Sequence, residues 1–141
     1  MIAAFVLPPA LRARIENEAR AAAPRECCGL IEGARDGDIV RAIALHPARN
    51  LADGTDRFEI DPRDHFAAVR AARANGHKIV GCYHSHLNGL ADMSERDRDG
   101  ASDDGFVWLI CAIAAQSLQT AAFVRENARF IALELRETAS A

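Results

Sequence analysis

Residues 79–86, Ile-Val-Gly-Cys-Tyr-His84-Ser-His86, are followed by Leu-Asn-Gly-Leu-Ala-Asp-Met at 87–93 and then by Ser94-Glu-Arg-Asp97. The unbroken apolar run over 79–83 has the length of a strand covered on both faces, and it ends directly on His84. Residues 106–113 make a second run of the same kind. Between the flanking segments, Asp61-Pro62 opens a helix as N-cap and first-turn proline, running to about residue 74 and closing at Asn75-Gly76. Further out, residues 2–7 read as a strand stopped by Pro8. Residues 9–23 carry Leu11, Ile15 and Ala19 at a spacing of four, which predicts an amphipathic helix. Residues 27–32 read as a buried strand ending at Gly33, and the Asp36-Gly37 turn leads into a partner strand over 39–45. Residues 46–57 are the longest irregular segment and are expected to form a mobile loop. A short helix over 94–101 and a terminal hairpin over 119–125 and 129–136 complete the chain. Helices interspersed with buried and half-buried strands predict an α/β domain with a mixed sheet flanked by helices. No Gly-rich phosphate loop follows any strand, which excludes Rossmann and P-loop folds.

The length of 141 residues suits one compact domain over 1–141. Such a chain buries about two thirds of its unfolded surface, so it needs no metal or disulfide merely to fold. With 17 Lys plus Arg against 20 Asp plus Glu, the net charge of −3 recruits no phosphate backbone, and nucleic acid is not an expected partner. No apolar run reaches the eighteen or so residues of a membrane span. The start, Met1-Ile-Ala-Ala-Phe-Val-Leu7, lacks a basic region and runs into Pro8-Pro9, unlike a signal peptide. A cytoplasmic location is therefore expected, with Cys27, Cys28, Cys82 and Cys111 kept reduced.

Residues two apart on a strand point the same way, about 6.6 Å apart at ~3.3 Å per residue. His84 and His86 can therefore converge on one ion, at a strand end of the kind where α/β sheets gather ligands. Asp97 could complete three protein ligands with one position open, the pattern of a hydrolytic zinc site. Plainer readings exist for every residue. A His-x-His pair can be a hydrogen-bonded surface pair. Ser94-x-x-Asp97 is also a capping box that starts a helix, a pattern repeated without chemistry in Asp61-x-x-Asp64. Glu26 beside Arg25 can be a solvated charge. Cys82 shares a direction with His84, and could lie beside the site, bind as a blocking fourth ligand, or sit in the core, the commonest fate of a free cysteine. Cys27 or Cys28 could approach the site but is a weak candidate nucleophile. His46, His65 and His77 carry no assignment.

Pro24-Arg-Glu26-Cys-Cys-Gly29-Leu-Ile-Glu-Gly33, His84-Ser-His86 and Ser94-x-x-Asp97, taken together and in this order, resemble the JAMM (MPN-type) zinc isopeptidase family. The resemblance extends through Phe58-Glu-Ile-Asp61-Pro62 and covers most of the chain from about residue 24 to 113. It implies a fold like that of the cytidine deaminases, and one zinc per chain held by His84, His86 and Asp97. It implies Glu26 as general base and then acid, and Ser94 as hydrogen-bond donor to the oxyanion. It also implies as substrate a ubiquitin-like protein, for a small stand-alone member a sulfur carrier, cut after its C-terminal Gly-Gly. The family usually has proline after the second histidine and before the serine. Leu87 and Met93 stand there instead, so a looser loop over 87–93 and a less certain rate are expected.

Two rival enzymes fail on their motifs. Deaminases need His-x-Glu and Cys-x-x-Cys, and helical zinc proteases need His-Glu-x-x-His; neither pattern occurs. The remaining alternative is an inert MPN-type scaffold or protein-binding module, which would have no need of Glu26, His84, His86, Ser94 and Asp97 together. An extended carrier tail could add to an exposed sheet edge, with the 46–57 loop covering it.

Overall fold

A computed structural model describes residues 1–115 and 117–139. In chain order the elements are β1 (Ala4–Val6), α1 (Pro9–Ala22), β2 (Cys28–Asp36), β3 (Ile39–Ala48), α2 (Pro62–Ala74), β4 (Lys78–His86), α3 (Glu95–Gly100), β5 (Val107–Ala114), β6 (Ser117–Glu126) and β7 (Arg129–Arg136). The strands lie in the order β1-β3-β2-β4-β5-β6-β7 and close into a barrel, because β1 pairs with both β3 and β7. The pairs β1–β3, β1–β7 and β4–β5 are parallel and the others antiparallel, so the sheet is mixed as the sequence predicts. The closure by a three-residue strand is not predicted by any local pattern.

Alternation along β2, β4 and β5 builds two cores. Ile31, Tyr83, Leu109 and Cys111 face one side, where α1 adds Ile15 and Ala19. Leu30, Cys82, Trp108 and Ile110 face the other, with Ala68 of α2, Met93 and Ala101. Helices thus flank both faces. The α2 start is as read, with Asp61 accepting from Arg63 N at 2.9 Å ahead of Pro62. Strand β2 runs past its expected end. Gly33 does not stop it but marks a register shift between Glu32 and Gly33, at a point where a side chain would strike the Arg41 carbonyl. Gly29, paired with Tyr83, likewise leaves room for the buried Tyr83 ring, whose hydroxyl donates to Glu18 of α1 at 2.9 and 3.0 Å.

Candidate active site

Both histidines come from the last turn of alternation on β4, between β2 and β5, in the middle of the sheet. His84 is fully buried and His86 is 5% exposed. The Phe58 ring stacks on His84 at 4.3 Å with an interplanar angle of 21°, and Trp108 meets it edge-on at 5.9 Å. Asp97 arrives from the first turn of α3. Ser94 Oγ accepts from Asp97 N at 3.1 Å, while Ser94 N donates to Asp97 Oδ2 at 3.0 Å. The capping box therefore exists, and it is also what aims Asp97 at the histidines. Asp97 Oδ2 lies 3.1 Å from His84 Nε2 and 3.0 Å from His86 Nε2, and the two Nε2 atoms are 3.0 Å apart. Glu26, at the threshold of β2, is 5% exposed, and it, His84 and His86 offer ligand atoms all within 4.8 Å of one another. This buried Glu/His/His group could hold a metal ion.

The electrostatics are those of a cation site. His86 Nδ1 faces the Leu90 carbonyl at 3.0 Å, and a carbonyl only accepts, so Nδ1 carries a proton. In the neutral ring a bare Nε2 then faces a carboxylate oxygen, which is repulsive unless the ring is doubly protonated or a cation lies among the three atoms. Burial pushes the Asp97 carboxyl up, but the hydrogen bonds from His84 and His86 carry it well below the usual carboxylate range. Burial draws His84 down, whereas for His86 the Asp97 carboxylate and the Leu90 carbonyl outweigh burial and raise it. Burial lifts Glu26 to about 7, with His86 opposing and Asp97 and Asp56 adding to the rise.

Glu26, His86 and Ser94 line one open cleft of about 650 Å³, walled by Thr55, Asp56 and Asn88. A larger hollow is lined by Asp97 together with Phe58, Ile60, Phe106 and Trp108 and with charged side chains such as Arg73 and Arg96. Cys28 pairs across the strands with His84, and its Sγ turns to the Ala48 carbonyl at 3.6 Å. Cys82 packs in the α2-side core, and burial raises Cys27 and Cys28 to about 12 and Cys82 higher still. Met93 is 5% exposed and belongs to that core, so its end of the 87–93 loop is anchored by packing where proline would have stiffened it. The sequence reading missed two features. Phe58 was visible only as part of the resemblance. His46 and His77, left unassigned, share the buried Glu32: His46 Nε2 contacts its Oε1 at 2.9 Å, His77 Nδ1 its Oε2 at 2.6 Å, and Asn75 donates to it at 3.1 Å.

The chain is similar to several known proteins. A protein from Haloferax volcanii named Desampylase is 37% identical over 90 residues, 63% of each chain. A Desampylase from Pyrococcus furiosus is 28% identical over 85 residues, 60% of this chain and 58% of that one. The chain thus spans a little under two thirds of the curated relatives it matches. A solution structure of a protein from Desulfitobacterium hafniense superposes with a TM-score of 0.84 at 30% identity, covering 96% of this chain and 95% of that one. The family model described as prokaryotic homologs of the JAB domain matches residues 8–127, and the chain belongs to that family, the prokaryotic branch of the JAB/MPN (JAMM) proteins.

Proposed function

We propose that this chain is a zinc-dependent hydrolase that cleaves the amide bond after the C-terminal Gly-Gly of a ubiquitin-like protein of the sulfur-carrier type. The observation that carries the reading is the triangle of His84 Nε2, His86 Nε2 and Asp97 Oδ2, with sides of 3.0, 3.0 and 3.1 Å. Ligands at ~2.0–2.1 Å from a tetrahedral zinc stand about 3.3 Å apart, so these three atoms nearly form one face of such a site. His84, His86 and Asp97 would hold one zinc per chain and leave the fourth direction to the cleft. Zinc held there supplies the charge that acidifies a water and polarises the scissile carbonyl.

The remaining work falls to the chain's own side chains. Glu26, as the carboxylate, takes a proton from the attacking water and delivers it to the leaving amine nitrogen as the C–N bond breaks. The Ser94 hydroxyl accepts one cap bond from Asp97 N, and its own proton is left to donate to the developing oxyanion. Phe58 and Trp108 keep water from the flank of His84. The relatives named Desampylase and the resemblance noted in the sequence favour a ubiquitin-like substrate. Because β1 covers only residues 39–41 of β3, an extended tail has the later part of that strand as an edge to pair with. The four cysteines are buried and unpaired, and no described helix is long and apolar enough to cross a membrane; both fit work in the cytoplasm.

Elemental analysis of the purified protein tests the reading, with His84→Ala and Asp97→Ala alongside. About one zinc per chain, lost in both variants, followed by cleavage of a carrier-Gly-Gly fusion, is the expected result. A folded protein that takes up no zinc after reconstitution would refute the hydrolase and leave an inert scaffold.

A further inference from the structure

Of residues 46–57, expected to be mobile, 46–48 belong to β3 and the rest is gathered around the Asn50 side chain. Asn50 Nδ2 donates to the Glu26 carbonyl at 3.0 Å and to the Arg57 carbonyl at 3.2 Å. Its Oδ1 accepts from Ala52 N and from Glu59 N, both at 3.0 Å. Two donors and two acceptor lone pairs are the whole capacity of an amide, and the four partners fix which way it points. Around it, Leu51 N donates to the Glu59 carbonyl at 2.8 Å, Asn50 bridges to Ile60, and Arg25 Nη2 donates to the carbonyls of Asn50 and Ala52 at 2.7 and 2.6 Å. The loop so gathered carries Phe58 onto His84, and Thr55 and Asp56 into the wall of the cleft that Glu26 also lines.

We propose that Asn50 is a positioning residue for the reaction assigned above: it ties the backbone of Glu26 to the loop that buttresses His84, and so sets the distance from the general base to the histidines. The inference rests on the hydrolase reading. It does not require Asn50 to touch substrate. The side chain has two separable arms, donors toward Glu26 and Arg57 and acceptors toward Ala52 and Glu59. Asn50→Asp keeps the acceptors and replaces the donors with an oxygen facing two carbonyls. Asn50→Ala removes both arms.

The test uses the zinc-loaded full chain, a ubiquitin-like carrier fused through Gly-Gly to a reporter protein, and amide hydrogen exchange. In Asn50→Asp, zinc per chain and the protection of the Ala52 and Glu59 amides stay at wild-type levels. Its kcat falls about 10- to 100-fold, the cost of misplacing a reacting group by a fraction of an ångström to an ångström, while KM moves by less than about threefold. Asn50→Ala shows the same kcat loss and faster exchange at those two amides. A kcat for Asn50→Asp within twofold of wild type overturns the proposal, as does loss of zinc in parallel with activity. A zinc-loaded wild-type chain that cleaves nothing refutes the hydrolase reading instead. The clasp is then judged on exchange alone, and unchanged protection in Asn50→Ala overturns it.

Discussion

Replacing Gly29 by alanine adds one methyl group at the point where β2 crosses Tyr83. That methyl would lie 2.5 Å from Tyr83 Cε1 and as close to its neighbours on the ring, where ordinary carbon contacts begin near ~3.5 Å. The ring or the strand must retreat by about 1 Å, and neither is free to do so. Tyr83 is fully buried, and its hydroxyl holds Glu18 of α1 at 2.9 and 3.0 Å. Overpacking a well-filled core costs roughly 1–3 kcal/mol, and loss of a hydrogen bond to a charged group roughly 1.5–3 kcal/mol. The expected destabilisation is therefore about 3–5 kcal/mol, a large share of the roughly 5–15 kcal/mol that holds a domain folded. At about 3 °C per kcal/mol for a chain of this size, Tm drops by roughly 10–15 °C, read by circular dichroism on metal-free protein so that zinc binding does not mask it. In a Tyr83→Ala background the same methyl meets no ring, and its cost should disappear. A loss below about 1 kcal/mol in the wild-type background, or an equal loss in both, would refute the close-contact account.

Glu26→Gln should keep its zinc and lose about 10²- to 10⁴-fold in kcat. Since Glu26 is raised to about 7 and works as the carboxylate, kcat/KM of the wild type should fall about tenfold per pH unit on the acid side, with a midpoint at or below 7 because bound zinc favours the anion. A stopped pH series with and without the substitution checks both. Phe58→Ala removes a stack worth about 0.5–1.5 kcal/mol from His84, so competition with a chelator should show zinc held several-fold to about tenfold more weakly. Burial raises Glu32, but His77, His46 and Asn75 bond to it and bring it below the ordinary glutamate value. Its contribution is thus complete at neutral pH and is lost as pH falls below about 4.3 and through the folded value. Denaturant titrations of Glu32→Gln should show a loss of about 1–3 kcal/mol at pH 7 that shrinks toward pH 3.

Local signals carried the site further than they carried the fold. His84 and His86 owe their common direction to strand alternation, and Asp97 owes its direction to a capping box; both are short-range patterns visible in the letters. Glu26 stands beside them only through the β2–β4 pairing, which no local pattern reports. That is why the resemblance, rather than spacing, singled it out. The cluster of Glu32, His46 and His77 is built across three segments, and its histidines read singly as loop residues. Gly33 reads as a strand end, yet it admits the Arg41 carbonyl and the strand continues. Asn50 looked like one more turn former in a Pro/Asn/Gly-rich segment. Its four bonds exist only once Glu26 and residues 52–59 have met.

The pairing of β1 with residues 134–136 of β7 also sets a condition on biosynthesis. β1 cannot complete its pairing until residues 134–136 have emerged, so until then the growing chain carries open edges on β1 and β6. Contacts so distant in sequence slow the final step of folding. A chain cut short before residue 134 would keep its histidine pair and Asp97 yet display unpaired strands, a surface prone to association with other chains. The seam closes only once β7 is in place.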